Sequence, residues 1–296
     1  MMMRVGEPKL GFRTRLRRGW NITKLGMHVV RADPELMVYT LLSGLFSIGA
    51  AIGLLAVTGG MGFFVSGEEG VESGMLVGMF LTYMVVGMIT VFWNAAIIAS
   101  AYERLTTGTN PSFSYGIKEA AKRLPAIIVW GLISGTVGLI VGLLEGMAQD
   151  DNPVVRAIGS IASLIVQVAW WMTTFFVVPM LVLEGYQVGE CMRRSPELFK
   201  QTWGEDVVST GGTGIVNFLV ILLVVLICMP LFALSVATED QTGGLGTGLA
   251  LALMFIGVGL SVLFFTACEA VNRASLYYFA KTGEAPPLAQ KYGLDF

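Results

Sequence analysis

The side chains able to carry chemistry are few and scattered. His28 is the one histidine, and Cys191, Cys228 and Cys268 form no CxxC pair. A zinc site needs His, Cys or carboxylate ligands at close, regular spacing, which this pattern does not supply. Hydrolysis needs a nucleophile beside a base, and His28 stands on a basic segment without such a neighbour in sequence. Glu68, Glu69 and Glu72 read as a solvated acidic loop before they read as a weak cation site. Ser209-Thr210-Gly211-Gly212-Thr213-Gly214 has the glycines of a phosphate loop. It lacks the Gly-Lys-Ser/Thr ending and a preceding strand. Small residues there suit close helix contact instead. No catalytic, cofactor-binding or metal-binding residue is assigned on these grounds. The chain reads as non-enzymatic, with no cofactor and no nucleic-acid partner.

Polar residues inside apolar runs carry more information, because an unpaired polar group in hydrocarbon costs several kcal/mol. Asn94, Gln167 and Asn217 are such residues, and Glu184 and Glu269 stand at the ends of runs. Helix-to-helix hydrogen bonds are the expectation for the three amides, at about 0.6 kcal/mol each. Glu269 and Arg273 are four apart, in the favourable acid-before-base order. Glu184 is expected to meet Arg193 or Arg194 from the following connection. A transport path would ask for more ionisable groups at mid-bilayer.

These residues must be positioned by membrane helices. The chain has 296 residues, 54% hydrophobic and 14% charged, with a mean hydropathy of +0.71. A soluble domain carries roughly 25% charge. A helix crosses the hydrocarbon with about 20 apolar residues. Six runs qualify, at about 36–64, 74–102, 124–144, 157–183, 212–238 and 245–268. They show no period-two alternation, which excludes a membrane barrel. Basic residues are retained on the cytoplasmic side. Arg156 is the single exception to one-sided placement among the 19 Lys and Arg. Both termini are therefore expected in the cytoplasm of a cell membrane.

The expected fold is all-α, a polytopic bundle of six transmembrane helices arranged as three hairpins, each preceded by a cytoplasmic amphipathic surface helix. Residues 1–35 form a basic segment, 36–283 the six-span domain and 284–296 a tail. In the first segment Phe12, Leu16, Trp20, Met27 and Val30 make an apolar stripe flanked by basic residues. Such a helix settles at headgroup depth. Arg13, Arg15, Arg17, Arg18, Trp20 and Lys24 are then the candidate contacts to lipid headgroups, with anionic lipid favoured. An ordinary positive-inside flank without lipid selectivity is the alternative. A second surface helix is expected over Pro111–Leu124 and a third from Ser195-Pro196-Glu197, a capping signal. Asp33-Pro34-Glu35 and Asn152-Pro153 carry the same start signal. Ala99, Ser100, Tyr102, Thr107, Gly108 and Pro111 recur as Ala274, Ser275, Tyr277, Thr282, Gly283 and Pro286 at one constant offset.

Val178-Pro179-Met180-Leu181-Val182-Leu183-Glu184, followed by Glu190-Cys191-Met192-Arg193-Arg194-Ser195 and Leu198-Phe199-Lys200, has a distinctive cadence. It resembles a segment of poorly characterised prokaryotic six-span proteins. They include families of unknown function and the membrane domain ahead of some glycerophosphodiester phosphodiesterases. The resemblance implies a six-helix fold and no established activity, since the phosphodiesterase chemistry belongs to a separate soluble domain. The expected function is a scaffold, an assembly factor or a lipid-associated partner in the membrane, with membrane lipids and a membrane protein as partners. The alternative is a small-molecule permease or lipid-moving transporter.

Overall fold

The computed structural model describes residues 12–237 and 245–294. Every regular element among them is helical. Helix α1 covers Phe12–Ala32, α2 Glu35–Thr107, α3 Phe113–Lys122, α4 Leu124–Met147 and α5 Pro153–Thr174. A short α6, Val177–Pro179, continues into a π-helical turn, Met180–Glu184. Then come α7, Val188–Ala237, α8, Leu245–Thr282, and α9, Pro287–Lys291. Six stretches are long and apolar enough to cross a membrane, the chain being an integral membrane protein by that measure.

Helix α2 is a hairpin of two of these, Glu35–Gly67 and Gly74–Thr107. Its bend falls at Ser66 and Gly67, where the glycine takes φ +65°. The arms touch through glycine, since a Cβ on Gly62 would stand 1.9 Å from the Gly70 carbonyl oxygen. The capping expectations divide. Asn152 accepts from the Val154 amide at 3.0 Å and starts α5 as its sequence predicts. Asp33 does not cap α2, because its carboxylate turns to Arg104 at 2.8 Å. Ser195 starts no helix, because α7 runs unbroken through Pro196. The Ser195 hydroxyl instead accepts from the buried Phe176 amide at 3.0 Å. The third surface helix is thus the lower part of α7, which at 50 residues is about 75 Å long. That is more than twice the ~30 Å of hydrocarbon.

The repeated sequence is also a repeated structure. Gly108 and Gly283 both take φ +74° and end their helices in the left-handed region. Thr107 and Thr282 accept from the amides of Thr109 and Glu284 at 3.2 and 3.1 Å. Gly185, at φ +72°, closes the middle unit at the same end. A side chain there would also strike the Arg123 guanidinium at 2.4 Å.

The basic end of the bundle is where the helices pack. Ile22, Leu25 and Val29 of α1, Ala95 to Leu105 of α2, Phe176 and Leu181, and Ala267 to Tyr277 of α8 make one buried cluster. Further along the spans the packing thins. None of the first span's apolar window is buried within the protein, and at most 28% of any other is.

Helix α1 divides its expected stripe, with Met27 and Val30 turned to protein and Leu16 and Trp20 outward. Its face of Ile22, Leu25, Val29 and Val30 is buried against protein, while Leu16 and Trp20 remain 38% and 40% exposed. Glycines make the approach possible. A Cβ on Gly26 would stand 2.2 Å from Asn272 Oδ1, and one on Gly19 2.5 Å from Val208. Helix α3 docks similarly on α2, with Gly116 against Ser100 and Tyr39 donating to the Phe113 carbonyl at 2.6 Å.

Candidate functional site: a polar layer at the basic end

Charged and hydroxyl side chains gather where α1, α7 and α8 meet. Glu205 on α7, 2% exposed, lies 3.8 Å from both Arg15 and Arg18 of α1. The two guanidiniums also lie over the rings of Trp203 and Phe279, at 5.7 and 5.6 Å. Asp206, fully buried, accepts from the Thr202 hydroxyl at 2.9 Å. Asn272 of α8 donates to the Thr213 hydroxyl at 2.9 Å. Thr213 donates in turn to the Ser209 carbonyl at 2.8 Å, which Thr23 of α1 also reaches at 3.2 Å. Helix α7 therefore holds both neighbours, α1 through the Ser209 carbonyl and α8 through the Thr213 hydroxyl.

Arg273 continues the layer. Its guanidinium stands over the Phe175 ring at 5.1 Å and feels the charges of both Glu269 and Asp206. The expected Glu269–Arg273 pair does not close to ion-pair distance among the described residues, and Glu269 is exposed. Beside them a cavity of about 10 Å³ is lined by Phe175, Thr210, Glu269, Asn272, Arg273 and Leu276. That is about the least space that admits one water.

A second group surrounds Glu184. It accepts a short hydrogen bond from the Tyr277 hydroxyl and pairs with Lys281 at 2.5 Å. Neither expected arginine is its partner. Arg194 pairs with Glu190 at 2.6 Å, one helical turn away, and lies over the Tyr186 ring at 4.6 Å. Arg193 is exposed. The reason is geometric: the chain turns at Gly185 and carries the arginines away on α7, whereas α8 brings Tyr277 and Lys281 alongside. The Tyr186 phenol is held above its ordinary range, first by its hydrogen bond to Glu184 and then by that carboxylate's charge. On α3, burial and then the Glu103 carboxylate, 3.3 Å from the hydroxyl, push Tyr115 up to about 12.

The mid-span amides behave in two ways. Gln167 donates to Ser163 at 2.7 Å on its own helix and to Glu145 of α4 at 3.1 Å. Asn217 accepts from Ser261 of α8 at 2.8 Å. Both join neighbouring helices as expected. The Asn94 carbonyl oxygen is buried and has no partner among the described residues. Between the second arm of α2 and α4 lies an apolar groove of about 360 Å³, with Thr82, Tyr83, Gly87, Ser134 and Gly135 in its walls.

The headgroup candidates likewise separate. Arg15 and Arg18 face Glu205, Arg13 and Arg17 are exposed, Lys24 is half-buried and Trp20 is exposed. The sequence alone assigns no site role to Glu205, Asp206, Asn272, Tyr277 and Lys281. Glu205-Asp206 did leave a signal, as adjacent acids directly before a long apolar run.

Residues 73–286 match the model of a family of unknown function, DUF6159. The chain belongs to this family. The matched stretch contains Glu184, Glu205, Asp206, Arg273 and Lys281, while α1 and the first arm of α2 precede it. No curated protein matches the sequence.

Proposed function

We propose that this member of the family is a non-enzymatic protein of the cell membrane, acting as a scaffold, assembly factor or lipid-associated partner, with both ends in the cytoplasm. The observation that carries the reading is how acids at the basic end meet bases from distant parts of the chain. Glu205 meets Arg15 and Arg18, Asp33 meets Arg104, and Glu184 meets Lys281. Each pair ties together parts of the chain far apart in sequence, which suits a protein that holds a shape for a partner.

A permease or lipid-moving protein is the second reading, favoured by the groove between α2 and α4, where the Thr82 hydroxyl is buried without a partner among the described residues. Reconstitution into liposomes separates the two. The scaffold reading expects no flux of a panel of solutes and fluorescent lipids, with a defined membrane partner recovered on crosslinking in cells. Flux abolished by Thr82→Leu would establish the second reading in its place.

A further inference from the structure

The docking of α1 divides its basic residues into two sets with different roles. Arg15 and Arg18 turn inward to Glu205. Arg13, Arg17, Lys24 and Arg31 fall at helical spacing along the opposite side, with Trp20 among them. Arg13, Arg17 and Arg31 are exposed and Lys24 half-buried. None of the four has an acidic partner within ion-pair distance among the described residues. From Arg13 to Arg31 the stripe extends about 27 Å along the helix.

We infer that this stripe is a binding surface for anionic phospholipid headgroups. The inference rests on the lipid-associated reading above and assigns its residues. Two observations select a lipid surface as the occupant. Arg31 is four residues from Glu35, where the first span begins, so it stands within about 14 Å of the membrane boundary. Trp20, an amphipathic ring suited to the interface, is 40% exposed between the cations. The surface is rigid, because the buried face of α1 is keyed to α7 and α8 through Gly19 and Gly26. Headgroup phosphates would therefore meet cations carried on a backbone already docked on α7 and α8. Ile22, Leu25 and Val29 are buried in protein, so the side left for lipid is the cationic stripe with Trp20.

The test uses the purified full chain in detergent and fluorescent phosphatidylglycerol, with unlabelled phosphatidylglycerol or phosphatidylcholine as competitor. Wild type should prefer phosphatidylglycerol, and the preference should fade as salt rises. Replacing Arg13, Arg17, Lys24 and Arg31 by Gln should weaken binding at low salt by roughly fivefold for each residue removed, with the unfolding midpoint retained. Arg15→Gln with Arg18→Gln should do the reverse, lowering the midpoint and keeping the preference. Equal binding of the two lipids by wild type, or a fourfold variant that keeps the full preference, would overturn the assignment. Neither result touches the scaffold reading, which the flux experiment tests separately.

Discussion

At Glu205 a carboxylate that is almost wholly buried faces two guanidiniums, each on a helix outside the family-matched stretch. Removing one partner of a buried pair strands the other and costs about 3–5 kcal/mol, whereas exposed pairs contribute 0–1. Arg15 and Arg18 are 24% and 20% exposed, so the loss for Glu205→Gln should fall toward the lower end of the buried range. Thermal unfolding in detergent measures it. Glu269→Gln belongs to the other class: the residue is exposed and makes no ion pair among the described residues, so its effect should stay near ~0.5 kcal/mol. Tyr115 offers a pH test. Its phenol should ionise at about 12 against an ordinary 10.0. A raised phenol favours the folded state below the unfolded value, and that contribution is lost as pH climbs from 10 through 12. Glu103→Gln should move the spectrophotometric titration only part of the way back, since burial is the larger cause. A full return to 10 would contradict that ranking. At this scale the sequence was only partly readable. Gln167 and Asn217 announced themselves as lone amides in apolar runs. The partner of Glu184 did not, because Tyr277 and Lys281 lie more than ninety residues away and come near only through the packing of α8.

At the scale of elements, the sequence showed which segments were helical and which had two faces. It did not show what each face meets. An apolar stripe at helical spacing fits lipid and protein equally well, and α1 divides its own, Val30 inward and Leu16 and Trp20 outward. Glycine was the missing signal, since Gly19, Gly26 and Gly116 mark where backbones approach. Gly26→Ala should therefore cost about 1–3 kcal/mol through overpacking against Asn272. It should also speed proteolysis of α1 from the folded chain. Gly44→Ala, with nothing within 4 Å, is the matching control and should be neutral or slightly stabilising. Equal behaviour of the two variants would mean that α1 is not keyed to α8. The merging of the third surface helix into α7 escaped notice for a different reason. Ser-Pro-Glu is a start signal, but proline inside a long helix is tolerated when tertiary contacts hold it, and Ser195 is held by Phe176.

For the whole molecule, span number and order were legible because hydrocarbon thickness imposes one length on every crossing. The distribution of packing was not. The helices meet tightly at the basic end and loosely along the spans, a difference that composition cannot express because apolar residues fill both regions. The proposed sidedness rests on the basic residues. Single cysteines at Lys118 and Lys200, in a background without Cys191, Cys228 and Cys268, should resist an impermeant reagent added outside intact cells, and one at Asp151 should react. Outside labelling of Lys118→Cys would reverse the orientation. The central claim is that charged groups at the basic end join helices instead of serving a passing ion or substrate. A double-mutant cycle on Glu184 and Lys281, read by thermal unfolding of the full chain, tests it most directly. Glu184→Gln and Lys281→Met should each destabilise, and together cost less than their sum by about 0.5–3 kcal/mol. Additive losses, with unchanged stability for Glu184→Gln alone, would contradict the account.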